Sequence, residues 1–243
     1  MRADQADGVL LGAGGLRIEN GGVAVSGADL AFENTGVVCF TLGTLIATQL
    51  GPIPVEHLVE GTMIQTMDNG YQPLRWIGSR HIGKEELAQN TKLRPIRIGR
   101  TASGHASLNR DLVVSPQHRI LVASKIALRM FDEPEILVPA NKLLDCDGVT
   151  LAHDFREVTY FHLLFDAHEI VFANGLPAES LHLGKQAQAS LSPAGMEEIQ
   201  SIFPDMKALN ATRFLCRPVV DGQRAKKVAY RLLKNHKPIV ERL

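Results

Sequence analysis

The run Cys39-Phe40-Thr41-Leu42-Gly43-Thr44-Leu45-Ile46-Ala47-Thr48 marks where this chain begins to read as a folded domain. Thr44–Thr48 is rich in branched and apolar residues and predicts a strand. Upstream the text is different. Residues 1–38 hold eight of the 21 glycines and carry five acids against two bases. The short apolar pieces Val9–Leu11 and Val23–Val25 can pair as strands but bury little by themselves. Residues 1–36 are therefore expected to be a Gly-rich flank, either a tail or the remnant of an upstream partner.

Downstream of Cys39, strand-like segments recur at short intervals. Met63–Met67 is followed by Asp68-Asn69-Gly70, which supplies the positive-φ residues of a hairpin, and Tyr71–Ile77 reads as the returning strand. Further strands are expected near Arg94–Ile98, Leu112–Ser115, His118–Ala123, Ile136–Pro139, Val158–Phe165 and Glu169–Ala173, with one helical turn at Ala140–Leu144. There is almost no helical periodicity between them, so residues 37–183 predict an all-β, antiparallel domain. After Leu183 the character changes. Ser192–Glu198 reads as a helix start and Ala225–His236 has helical spacing, giving residues 184–243 as a partly helical extension. From Met206 onward ten Lys/Arg face two Asp/Glu, a pattern better explained by a solvated helix face than by an acidic partner.

Composition excludes some functions. The formal net charge of the 243 residues is zero, so there is no whole-chain electrostatic case for nucleic acid. No apolar run approaches the roughly 20 residues of a membrane span. The first residues lack a basic segment followed by an apolar one, so the expectation is a soluble protein, cytoplasmic or exported without an N-terminal signal peptide. Cys39, Cys146 and Cys216 form no Cys-x-x-Cys pair and are expected as free thiols.

The chemistry is suggested by Cys39 together with Ser115-Pro116-Gln117-His118. A thiol can attack the carbonyl carbon of the residue before it and convert the Val38–Cys39 amide into a thioester. That step needs a strained amide, an acid for the departing nitrogen and donors for the oxyanion. Cys39 is the candidate nucleophile and His118 the candidate proton donor. Ser115 either fixes the histidine or offers a hydroxyl to the oxyanion. The plainer readings are a buried core cysteine beside a structural histidine, or a Cys–His hydrolase acting on other molecules.

Three ordered blocks carry a resemblance. The first is the Cys39–Thr48 run followed by Gly51-Pro52-Ile53-Pro54-Val55-Glu56-His57-Leu58-Val59-Glu60-Gly61. The second is Leu112-Val113-Val114-Ser115-Pro116-Gln117-His118, with serine where the family has threonine. The third is His168-Glu169-Ile170-Val171-Phe172-Ala173-Asn174-Gly175. Together, over residues 39–176, they resemble the Hint domains shared by hedgehog proteins, inteins and bacterial intein-like proteins, and the Tyr71–Gly78 stretch is most similar to the bacterial branch. The resemblance implies a horseshoe-like, pseudo-twofold antiparallel β fold. It also implies Cys39 as nucleophile, His118 as the histidine acting on the scissile nitrogen, and Ser115 at the threonine position.

The departures narrow the expectation. Splicing inteins end in His-Asn, whereas Gly175 is followed by Leu176-Pro177-Ala178-Glu179-Ser180 and dozens of further residues. The resemblance thus implies cleavage at Val38–Cys39 rather than splicing, and Asn174 is read as a structural turn residue. The block in which inteins often carry a catalytic aspartate reads Phe161-His162-Leu163-Leu164-Phe165-Asp166-Ala167-His168, which makes both His162 and Asp166 candidates, with packing or turn roles as the alternative. His162 and His168 fall on one face if the strand runs through both; packing is favoured there over zinc. No metal or cofactor is expected. The leading expectation is single-turnover self-processing, in which the chain's own upstream segment is the substrate and water or another nucleophile the acceptor. The rivals are a degenerate Hint scaffold used for binding, and a Cys–His hydrolase or acyl transferase acting in trans.

Overall fold

A computed structural model describes residues 38–104, 110–183, 193–202 and 214–241. The Gly-rich pieces expected as strands before residue 38 lie outside the described residues, as does Ser192.

Among the described residues, fourteen short strands form two antiparallel sheets. In chain order, β1 is Phe40–Thr41, β2 Leu45–Thr48, β3 Gly51–Pro54, β4 Met63–Gln65 and β5 Tyr71–Pro73. They are followed by β6 Trp76–Ile82, β7 Ile96–Ile98, β8 Leu112–Val114, β9 Arg119–Ala123 and β10 Glu135–Pro139. The last four are β11 Val149–Leu151, β12 Val158–Leu164, β13 Ile170–Ala173 and β14 Leu176–Glu179. One sheet has the order β11-β7-β8-β1-β12-β6; the other runs β10-β9-β14-β13-β2-β4-β5, with β3 also on β2. The all-β expectation holds for this part of the chain.

The hairpin at Asn69-Gly70 forms as its sequence predicts. Gly70 takes φ 65, a left-handed conformation that costs glycine nothing, and pairs Gln65 with Tyr71. Its returning strand is not continuous to Ile77, however. Pro73 ends β5 by removing a donor, and Arg75 gives its N–H to the Leu164 carbonyl. The chain crosses there into the other sheet and resumes as β6. Strands β1, β3, β11 and β14 go beyond the sequence expectation; β1 has only two residues, and Pro52 and Pro177 interrupt β3 and β14, hiding the period-two pattern.

Two helices also sit among the strands. Helix α1 spans Lys84–Gln89. Helix α2 spans Lys125–Phe131, capped by the Ser124 hydroxyl on Ala127 N–H and ended by Asp132 at φ 61. Both are too short to leave a clear 3.6-residue signature. The expected turn at Ala140 is a 3₁₀ turn over Ala140–Lys142.

The main core lies between the sheets and draws Phe40, Ile96 and Val114 from one and Ile46, Ile64 and Ile120 from the other. The C-terminal residues are built into it. Helix α3 is Pro193–Ile202 and helix α4 is Gly222–Lys234. On α4, Ala225, Val228, Ala229 and Leu232 are buried at helical spacing, while Lys226, Lys227, Arg231 and Lys234 face solvent, as the charge run predicted. On either side of α4, Val219 bridges Leu137 and Val240 bridges Ala123. The segment therefore clasps the β9–β10 hairpin at both ends. No described helix is long and apolar enough to cross a membrane.

Candidate active site

Strand register assembles the site. Phe40 pairs with Phe161 on β12 and with Val114 on β8. One step back along β1, the antiparallel ladders set Cys39 opposite both His162 and Ser115. Because successive side chains alternate faces, Cys39, His162 and Ser115 share the face opposite to Phe40, Phe161 and Val114.

The contacts follow from that placement. Ser115 donates its N–H to the Cys39 carbonyl at 3.0 Å, and the Cys39 N–H donates to Ser115 Oγ at 3.1 Å. The Ser115–His118 turn, closed by His118 N–H on Ser115 O, brings the His118 ring back beneath Cys39. Its Nδ1 lies 2.9 Å from the Cys39 carbonyl oxygen and its Nε2 3.1 Å from the Glu179 carbonyl oxygen. His162 spans the peptide bond before the cysteine. Its Nδ1 lies 2.7 Å from the Val38 carbonyl oxygen and its Nε2 3.6 Å from Cys39 Sγ.

These distances assign protons. A carbonyl oxygen only accepts, so Nδ1 of His162 carries hydrogen and Nε2 turns a lone pair toward the thiol. Cys39, His118 and His162 are fully buried, and Val38 and Ser115 nearly so. Burial pushes the Cys39 thiol well above its usual range, a rise only partly offset by the Ser115 hydroxyl and the Arg80 charge. Burial likewise pushes His162 down to about 4 against the pull of the Val38 carbonyl, with His118 adding to the fall. The site therefore rests with a neutral thiol and a neutral base aimed at each other.

His118 is in a different position. Burial pushes it down to about 4, opposed first by the Glu179 carboxylate and then by the Cys39 and Glu179 carbonyls. Both ring nitrogens face carbonyl oxygens, so the neutral ring satisfies one and leaves the other facing a lone pair.

The candidates named from sequence thus divide. Ser115, His118 and His162 come together around Cys39. Asp166 does not: it is exposed and lies 3.3 Å from Arg75 Nε. His118 stands at the carbonyl of Cys39, while the Cys39 nitrogen expected to be its target is bonded to Ser115. His162 and His168 do not share a strand face, because β12 ends at Leu164 and His168 lies in the turn before β13. Asn174 occupies a left-handed turn at φ 49, accepts from Leu45 N–H and donates to the Asp111 carbonyl, which ties three segments together. Among the described residues no group of three His, Cys, Asp or Glu is arranged to hold a metal ion.

Glu179 escaped the sequence reading. Its signal was an acid inside the apolar stretch Leu176–Leu181, where burial requires a partner. Arg119 supplies one through its N–H at 3.0 Å and its guanidinium at 2.9 Å.

Compared with known protein families, residues 38–185 match the Hint domain, from the residue before Cys39 to just past β14. No curated protein matches the chain.

Proposed function

Because the chain belongs to the Hint domain family, whose members generally process themselves, we propose that it cleaves its own backbone at Val38–Cys39 by an N-to-S acyl shift. The observation that carries this reading is the bridge made by His162. One ring touches both the thiol that would attack and the carbonyl oxygen that would become an oxyanion.

The steps balance. Nε2 of His162 takes the Cys39 thiol proton as sulfur adds to the Val38 carbonyl carbon. Nδ1–H of the same ring holds the oxyanion. Collapse breaks the carbon–nitrogen bond, and the proton held on Nε2 passes to the departing Cys39 nitrogen, which Ser115 Oγ keeps oriented. His118 and the Ser115 N–H grip the Cys39 carbonyl, so the residue cannot rotate away during attack. The product is a Val38 thioester that water or another small nucleophile resolves. Complete burial of Cys39 favours an intramolecular substrate over one arriving from outside.

The chain with a soluble domain fused upstream tests the proposal. Dithiothreitol is expected to release that domain and leave a species beginning at Cys39 by mass. Equal cleavage by the Cys39→Ala variant, or no cleavage after long incubation, defeats it.

A further inference from the structure

A second thiol lies outside the Cys39 site and shares one residue with its surroundings. Cys216, half-buried ahead of α4, sets its sulfur 3.3 Å and its N–H 3.2 Å from Nδ1 of His168. The N–H must donate, so Nδ1 carries the lone pair and Nε2–H donates to Glu179 Oε2 at 3.1 Å. The Glu179 carboxylate is fully buried and held by Arg119 on both oxygens. A nucleophile, a base and a group that orients the base are thus in hydrogen-bond sequence.

The surroundings of the sulfur point to a class of ligand. Cys216 rests with Val219 on an apolar floor of Leu121, Leu137 and Ile170. Beside it, Phe214 is 83% and Leu215 40% exposed, an apolar pair left facing solvent next to a nucleophile. On the other side Arg217 is held by Asp68 and Glu135, which leaves the apolar side as the approach. Burial pushes the Cys216 thiol up to about 12 despite Arg217, so a resting thiolate is disfavoured and attack needs a base. His168 is that base.

We propose that Cys216 is a covalent acylation site that takes an apolar acyl chain from a thioester donor. The Cys216 proton moves to His168 Nδ1 as the new sulfur–acyl carbon bond forms. The donor's carbon–sulfur bond breaks, and the proton passes from His168 to the departing thiolate. No oxidant or reductant is needed. The product is a thioester on Cys216 and a free donor thiol.

The test uses the full chain carrying Cys39→Ala, which separates it from the proposed backbone cleavage, with the octanoyl thioester of N-acetylcysteamine as donor. One hydroxylamine-labile octanoyl group per chain is expected at Cys216 by peptide mass mapping. The expected rate exceeds that of free N-acetylcysteine at the same pH by about tenfold or more. His168→Gln with an unchanged circular dichroism spectrum is expected to lose that advantage, and Phe214→Ser to lose a preference for octanoyl over acetyl donors. A native Cys216 no faster than N-acetylcysteine overturns the proposal without any folding question. So does a folded His168→Gln chain acylated as fast as its parent, or equal native rates for acetyl and octanoyl donors.

Discussion

His162 lies 2.7 Å from the carbonyl oxygen of Val38 through Nδ1, while the opposite nitrogen of the same ring faces the thiol of the next residue. In the proposed cleavage, two functions that catalytic sites often divide between residues, base and oxyanion donor, would converge on this one buried ring. The bond to Val38 also fixes the tautomer that puts the Nε2 lone pair toward the thiol.

Replacing that ring separates the two functions. His162→Gln retains an N–H for Val38 but has no base, and cleavage of the upstream fusion is expected to slow by about 100-fold or more. Asp166→Asn, at an exposed position paired with Arg75, leaves the rate unchanged. Gel densitometry of thiol-induced cleavage at fixed pH reads both. A fast His162→Gln variant would remove His162 from the chemistry.

Acid should weaken the fold through the same histidines. His118 and His162 are held near 4 by burial, while an exposed histidine titrates near about 6.5. Between those values the unfolded chain binds more protons, so stability is full above about pH 6.5 and declines as pH falls toward 4. The loss is on the order of 3 kcal/mol for each histidine by the conversion from pKa to free energy. Urea midpoints from pH 7 to 4 measure it, and a His162→Gln chain should show a shallower decline.

Gly78 is opposite His162 in the β6–β12 ladder, and a Cβ there would run into the buried Trp76 ring. Trp76 packs in the cluster that contains Val38 and Cys39. Gly78→Ala is expected to cost about 1–3 kcal/mol by overpacking and to slow cleavage by shifting the scissile bond. A thermal melt and the fusion assay give the two numbers. An unshifted melt would mean that the indole moves aside freely.

Ending the chain at residue 213 removes the clasp around β9 and β10. Val220, Val228, Leu232, Ile239 and Val240 leave the main core, a loss of roughly 10 kcal/mol at about 2 kcal/mol for each large side chain, comparable with a whole domain's stability. The shortened chain is expected to lose cooperative urea unfolding. A sharp transition near that of the full chain would show instead that the domain folds without residues 214–243.

Much of this arrangement is visible in the one-dimensional text, and particular residues show where that visibility ends. Strands at Leu45–Thr48, Arg119–Ala123 and Val158–Leu164 announce themselves because branched and apolar residues cluster between turns. Cys39 and His118 stand out through side-chain chemistry and motif position. Helix α2 did not, because seven residues make under two turns of periodicity. The break between β5 and β6 did not either, since nothing local to Leu74 and Arg75 indicates that the chain changes sheet.

Sequence by itself determined the kinds of group available: a thiol after a valine, a histidine three residues past a serine, and an antiparallel β domain to hold them. Only the tertiary structure decided which of His162 and Asp166, four residues apart in one block, reaches Cys39. The pairing of Phe40 with Phe161 and Val114 turns His162 inward toward Val38 and Cys39, while Asp166 falls past the end of β12 into solvent. Register is a long-range property, and a slip of one residue would turn every side chain on the strand to the opposite face.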